Sequence, residues 1–245
     1  MVLVAVVALV VHGWSAGAKL DIAGLPEGVS RLREFIVMAV PPDLNRLGPI
    51  LQALLVTFQM ALLGTIIGVV LSVPLAVAAA RNTSPHPGLY VASRGVISVF
   101  RTIPDLIWGV IFVVAVGLGP EAGVLAITAD VMGFCDRFFA ESIEEIDAGV
   151  IDGLRATGAS RSAVVAGAVL PSTLPSFVAT SMFALESSTR SSVVLGLVGA
   201  GGIGIELTVS MQLLRYDEAL TIIIAVFLVV IAVERLSSTI RRKLI

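Results

Sequence analysis

Long apolar runs, separated by short clusters of charge, glycine and proline, set the pattern of this chain. In lipid a helix satisfies its own backbone, and ~20 residues cross the hydrocarbon, so each run reads as a membrane-spanning helix. The first run, Met1–Val11, is short for a span. Ser15-Ala16-Gly17-Ala18 behind it has signal-peptide character, but the absence of a basic start favours a retained first helix. Lys19–Asn45 is polar and broken by Pro26, Pro41 and Pro42; within it Ser30–Val40 predicts a short amphipathic helix on the membrane surface. The run from Leu47 to Ala80 exceeds what a bilayer needs, which predicts a tilted or protruding helix kinked at Pro74. Further spans are expected over Leu89–Gly117, Ala122–Phe139, Leu170–Val198 and Tyr216–Ser237. The pattern is that of an all-α integral membrane protein with five to six spans.

Composition sharpens this picture. Hydrophobic residues make up 57% and charged residues 14% of the chain, with a mean hydropathy of +1.01. Soluble domains carry about a quarter charged residues, so this chain lacks the polar surface to cover a water-facing globule. The formal net charge of −2 gives no reason to expect a nucleic-acid partner. A single cysteine, Cys135, excludes an internal disulfide and a cysteine-based metal site, and reads as a packing residue. His12 and His86 are far apart and read as surface or loop residues, so no metal is expected. No G-x-x-x-x-G-K-[ST] is present, so the chain itself is expected to bind no nucleotide cofactor. Arg81, Arg94, Arg155, Arg161, Arg241, Arg242 and Lys243 share one side if the spans alternate, which predicts a cytoplasmic C-terminus. Lys19, Arg31, Arg33 and Arg46 fall in the opposite loop. The chain then divides into residues 1–46, a helix plus an extracytoplasmic linker, and a core of residues 47–245.

The polar interruption at residues 141–171 is the most informative stretch. Its Asp147–Pro171 part predicts two short helices. Gly158 can take the left-handed conformation that stops the first, and Ser160 can cap the second. Pro171 is expected to open the next span, where its missing N–H costs little. Such a two-helix knob suits docking into a groove on a soluble partner.

The same residues carry a resemblance. Asp152-Gly153-Leu154, Ala156, Gly158-Ala159-Ser160 and Leu170-Pro171 resemble the coupling loop of ABC-importer permeases, Glu-Ala-Ala, three residues, Gly, nine residues, Ile-x-Leu-Pro. Asp152 stands one methylene short of the family's glutamate, and Ala168 occupies the isoleucine slot. Arg101–Trp108, Arg190–Gly204 and Arg215–Glu218 are similar to segments of phosphonate-type permeases. The resemblance implies a type I importer permease fold in the bacterial cytoplasmic membrane, with cytoplasmic coupling helices. It also implies a homodimer, two cytoplasmic ATPases that hold ATP and magnesium, and an extracytoplasmic binding protein delivering a phosphonate, phosphite or phosphate anion. One chain offers one knob, and an ATP sandwich needs two, which favours the dimer. Permeases of the same superfamily for methionine or another small solute, and a secondary transporter, are the alternatives.

Gly199, Gly201 and Gly204 satisfy G-x-G-x-x-G after an apolar run, which imitates a dinucleotide site. A ribose-binding carboxylate is due about 20 residues on, and Ile222–Val226 is wholly apolar. The glycines, with Gly202, read instead as a break for close packing or gating at the outer end of a span. Charges within spans face a bundle interior or a water-filled path. Glu186 and Arg190 are spaced for a helical ion pair, as are Arg101 and Asp105, while Asp130 stands alone. Arg190, and less strongly Arg101, are candidates to attract a passing oxyanion, with Ser187, Ser188, Ser191 and Ser192 as hydroxyl donors. Pairing between helices is the competing role for all these charges.

Overall fold

A computed structural model describes residues 5–8, 12 and 25–244, so most of the expected first segment lies outside the described residues. No strand occurs among them. The helices are α1 (Leu25–Ala39), α2 (Leu47–Ala79), α3 (Pro87–Thr102), α4 (Asp105–Val116), α5 (Pro120–Glu144) and α6 (Ala148–Ala156). They continue as α7 (Arg161–Val164), α8 (Leu170–Leu197), α9 (Ile203–Gln212) and α10 (Tyr216–Leu244).

The core is built on α2 and α5, which run parallel. A Cβ on Gly64 would lie 2.6 Å from Ile127 Cγ2, and one on Gly68 would lie 2.7 Å from Val131 Cγ1. Met60 likewise fills the space beside Gly123. Partner numbers rise together, as parallel helices require, and glycine on one helix admits a branched side chain from the other. At one end Arg81 N donates to Glu144 Oε1 (2.8 Å) and Asn82 Nδ2 to the Ile143 carbonyl (2.6 Å). Two parallel helices need a crossing between them, and α3 with α4 supplies it.

That crossing is not the continuous span expected over Leu89–Gly117. The helices α3 and α4 meet at a 92° bend. Pro104 has no N–H for the Phe100 carbonyl, and the residue before a proline is pushed to extended backbone. Ile103 sits at φ −87°, ψ 119°. The carbonyl left over on Phe100 accepts instead from the Trp108 indole N–H at 3.4 Å. Past α4, Gly119 N donates to the Gly199 carbonyl at 3.0 Å, which fixes that end beside the end of α8.

The span expected over Leu170–Val198 begins earlier. α7 passes through a π-helical turn, Val165–Val169, directly into α8, so the second helix of the knob and the span form one rod. Pro171 therefore sits inside a continuous helix rather than opening one. The wider π turn just before it absorbs the missing donor and the ring. α8 runs antiparallel to α5, with Phe177 stacked on Phe139 (3.9 Å) and Phe183 on Phe134 (5.4 Å).

α2, the 161–197 rod and α10 are long and apolar enough to cross a membrane, and α3 with α4 counts as a bent fourth. α5 carries too many charges to qualify by composition. Its 25 residues nonetheless make ~37 Å of helix at ~1.5 Å per residue, packed along α2 through the same slab. Its buried face includes Ile127, Val131, Cys135, Phe139 and Ile143, so Cys135 is a packing residue as expected.

At the end remote from the knob, α1 packs on α10 through Phe35 and Tyr216 (5.1 Å). The expected surface helix at Ser30–Val40 thus runs from Leu25 to Ala39. Arg46 binds Glu218 and also reaches Glu206 at 3.3 Å, while Arg215 stands 3.6 Å from Glu218. The Glu218 side chain is 3% exposed, so removing its main partner leaves a nearly buried carboxylate half-compensated. Arg46→Ala is expected to cost about 2 kcal/mol, part of the loss being taken up by Arg215. A lowered thermal unfolding midpoint in detergent checks this, and an unchanged one contradicts it.

Candidate coupling knob and charged path

The knob is assembled from local capping. Asp147 Oδ1 accepts from Gly149 N at 2.7 Å and starts α6, whose end is turned by Gly158 at φ +82°. Ser160 Oγ accepts from Ala163 N at 3.3 Å and starts α7. Ile151 and Val164 are buried, while Leu154 is half-buried and its Cδ2 would touch a Cβ on Gly167. Asp152, Gly153, Ala156, Gly158 and Ser160 are exposed, and Asp152 pairs with Arg155 at 3.4 Å. Ala159 and Leu170 pack on the core, and Pro171 is exposed on the rod above. Arg155 donates to the Asn82 carbonyl (3.1 Å) and Arg161 to the Pro85 carbonyl (2.9 Å), tying the knob to the α2–α3 turn.

The charges inside the spans are arranged differently from their spacing. Arg190 does bind Glu186 (3.1 Å), but Glu186 also binds Arg241 from α10 (3.3 Å). The Arg190 side chain remains 48% exposed, with Ser187 half-buried on the same helix. The second expected pair does not form. The 92° bend separates Arg101 from Asp105, whose oxygens accept from Ser191 Oγ (2.7 Å) and Leu106 N (2.7 Å). Arg101 has no ion pair among the described residues and is exposed. Asp130, which stands alone by sequence, lies within electrostatic range of Asp105. Ser188 and Ser192 are buried.

Around Arg101 is a cleft of about 410 Å³ that the spans alone did not reveal, lined by Arg94, Ser98, Thr102, Arg137 and Glu141. Arg137 pairs with Glu141 (2.7 Å) and Arg94 with Glu144 (2.9 Å), so Arg101 is the uncompensated cation. Asp130, Phe134, Arg137 and Glu141 recur at helical spacing along one stripe of α5, beside the face packed on α2. That periodicity is visible in the sequence; the contribution of α3 to the same cleft is not.

The glycine stretch is a turn between helices. α8 ends at Leu197; Gly199, Gly201 and Gly202 take φ of +94°, +87° and +74°, and α9 follows unexpectedly at Ile203. Thr57 Oγ1 accepts from Ile203 N at 2.7 Å, pinning the turn to α2. Gly196 and Gly204 pack backbone to backbone, so a Cβ on Gly196 would lie 2.7 Å from Gly204 Cα. A helix precedes these glycines where a dinucleotide site needs a strand, which disposes of that reading.

The family described as "Binding-protein-dependent transport system inner membrane component" matches residues 72–244. The chain is 38% identical to the phosphite transport system permease protein PtxC of Stutzerimonas stutzeri, over 94% of this chain and 83% of that one. It is 41% identical to the phosphate-import permease protein PhnE of Mycolicibacterium smegmatis, over 84% of this chain and 39% of that longer relative. In fold it is similar to an inward-facing structure of the MetNI methionine ABC transporter (TM-score 0.73, 24% identity, 83% of this chain and 99% of that one). The chain therefore belongs to the family of binding-protein-dependent transport system inner membrane components, and is a multi-pass permease subunit of an ABC importer rather than an enzyme.

Proposed function

We propose that this permease carries a phosphite-, phosphonate- or phosphate-class oxyanion into the cytoplasm by alternating access. Two copies form the path; two cytoplasmic ATPases holding ATP and magnesium drive it; an extracytoplasmic binding protein loads it. The observation that carries the reading is the exposed, uncompensated Arg101 in a cleft shared with Arg94 and Arg137, at the bend of the α3–α4 span. A bare guanidinium is costly against lipid, so this face needs water and a second copy around it. Guanidinium groups fork onto phosphate-like oxygens, whereas a zwitterion such as methionine has no net charge for the unpaired Arg101 to draw. The relatives named for phosphite and phosphate transport support the same solute class. A modest cation excess, with Glu141 in the cleft, attracts the anion without trapping it.

The knob side also holds the ends of α2 and α5, and α10 runs toward it from the remote end, with Arg241, Arg242 and Lys243 in its last turn. With Arg81, Arg155 and Arg161 it is the more basic side and faces the cytoplasm. Closure of the ATPases then pushes on Asp152–Ser160, and the rod that begins at Arg161 transmits the push to the outer glycine turn. The complex in liposomes tests the path. Arg101→Ala is expected to lower ATP-driven uptake of phosphite or phosphate about tenfold with assembly intact, the worth of one charge-assisted contact. Arg190→Ala, whose charge is shared with Glu186, is expected to lower it less. Undiminished uptake by Arg101→Ala, or methionine uptake in place of the anion, defeats the reading.

A further inference from the structure

We propose that the cleft between the knob and the α2–α3 turn is a second anion site, built for a phosphate-class oxyanion borne by free orthophosphate or by an anionic lipid headgroup. It is separate from the Arg101 cleft and shares no lining residue with it. Its volume is about 270 Å³, and its walls are Arg81, Asn82, Thr83, Ser84, Arg155 and Arg161 over a floor of Val164 and Val165.

Three cations line this space and no acid does. The nearest carboxylates are committed elsewhere. Glu144 accepts from Arg94 and from the Arg81 backbone, and Asp152 stands 3.4 Å from Arg155 with both side chains largely exposed. A guanidinium has five N–H donors. Here Arg81 uses Nε on the Tyr90 hydroxyl (3.1 Å), Arg155 uses its two terminal nitrogens on Asp152 and Asn82, and Arg161 one on the Pro85 carbonyl. Most of the donors remain available. The bond to Tyr90 also raises the already high pKa of Arg81, so its charge persists at every working pH.

The fixed bonds matter as much as the free ones. They fix each guanidinium beside the cleft without using all of its N–H groups, an arrangement that favours a small anion with several oxygens. Such an anion is large enough to touch the knob and the turn together. It would strengthen the link that the Asn82 and Pro85 carbonyls already make, and so restrain the knob when the solute accumulates inside.

The test is equilibrium binding of radiolabelled orthophosphate to the complex of permease and ATPase in phosphatidylcholine nanodiscs. ADP and magnesium fill the nucleotide sites, and an Arg101→Ala background removes the path, so the result is independent of the transport reading. Saturable binding weakened about tenfold by Arg161→Gln, and less by the charge-keeping Arg161→Lys, supports a free-anion site. If phosphatidylglycerol in the discs displaces the label, and native mass spectrometry finds that lipid retained by wild type but not by Arg161→Gln, the headgroup is the occupant. The exposed Arg31→Gln, at the far end, should change neither readout. Binding of neither probe by the assembled complex, or binding indifferent to Arg161→Gln and Arg155→Gln in variants with unshifted unfolding midpoints, overturns the proposal.

Discussion

Valine in place of Gly158 is expected to abolish the stimulation of ATP hydrolysis by loaded binding protein, and uptake with it, while the complex still assembles. Gly158 stands at φ +82° at the end of α6, where a β-branched side chain is a steric outlier costing ~1–3 kcal/mol. A Cβ there meets nothing within 4 Å, so the damage comes from backbone direction, not from a clash. A residue that cannot hold the left-handed turn lets α6 continue or fray, and the cap of Ser160 on Ala163 N is lost. α6 then no longer points as it does relative to the rod of residues 161–197. Alanine, with no branch, should retain part of the coupling. ATPase assays with and without binding protein decide the matter: full stimulation in Gly158→Val would remove the knob from the mechanism.

Alanine at Gly204 should damage the opposite end. Its Cβ would strike the Val193 carbonyl oxygen and come within 2.7 Å of Gly196 Cα and 2.9 Å of the Gly196 carbonyl carbon. All three are backbone atoms, so no rotamer change relieves the overlap, and α9 must move off α8. Overpacking of this kind costs ~3 kcal/mol, the upper part of its usual range. Ile203 N would also leave Thr57 Oγ1, loosening the turn from α2. A large fall in the unfolding midpoint is expected, with uptake lost at growth temperature. Gly153→Ala is the control: a Cβ on that helical glycine meets nothing within 4 Å and should be neutral or slightly stabilising. Equal midpoints for the two variants would show that the helices are not in contact here.

Much of the spanning pattern was legible because a bilayer imposes it. Leu47–Ala79 and the start of α10 at Tyr216 follow from apolar runs and the polar breaks beside them. Gly158 and Ser160 were legible for another reason. A left-handed stop and an N-cap are local events, decided by atoms within a few residues. The knob could thus be drawn from spacing alone, and so could the Glu186–Arg190 pair within one helix.

What the sequence by itself determined was the solvent, the number and length of the runs, the capping chemistry of the knob and the family it resembles. Tertiary structure decided where charges meet. Arg101 and Asp105 share a helical spacing but not a helix, because Pro104 breaks the ladder at Phe100 and turns the chain. Asp105 then finds Ser191, 86 residues on, and Arg101 is left facing Arg94, Arg137 and Glu141. Arg241 reaches Glu186 across 55 residues, and Arg155 and Arg161 reach the turn at Asn82 and Pro85. Hydrophobicity and capping act over one helical turn and so are written locally. Ion pairs and clefts depend on how rigid helices cross, and that is settled by packing such as Gly64 on Ile127 and Gly196 on Gly204.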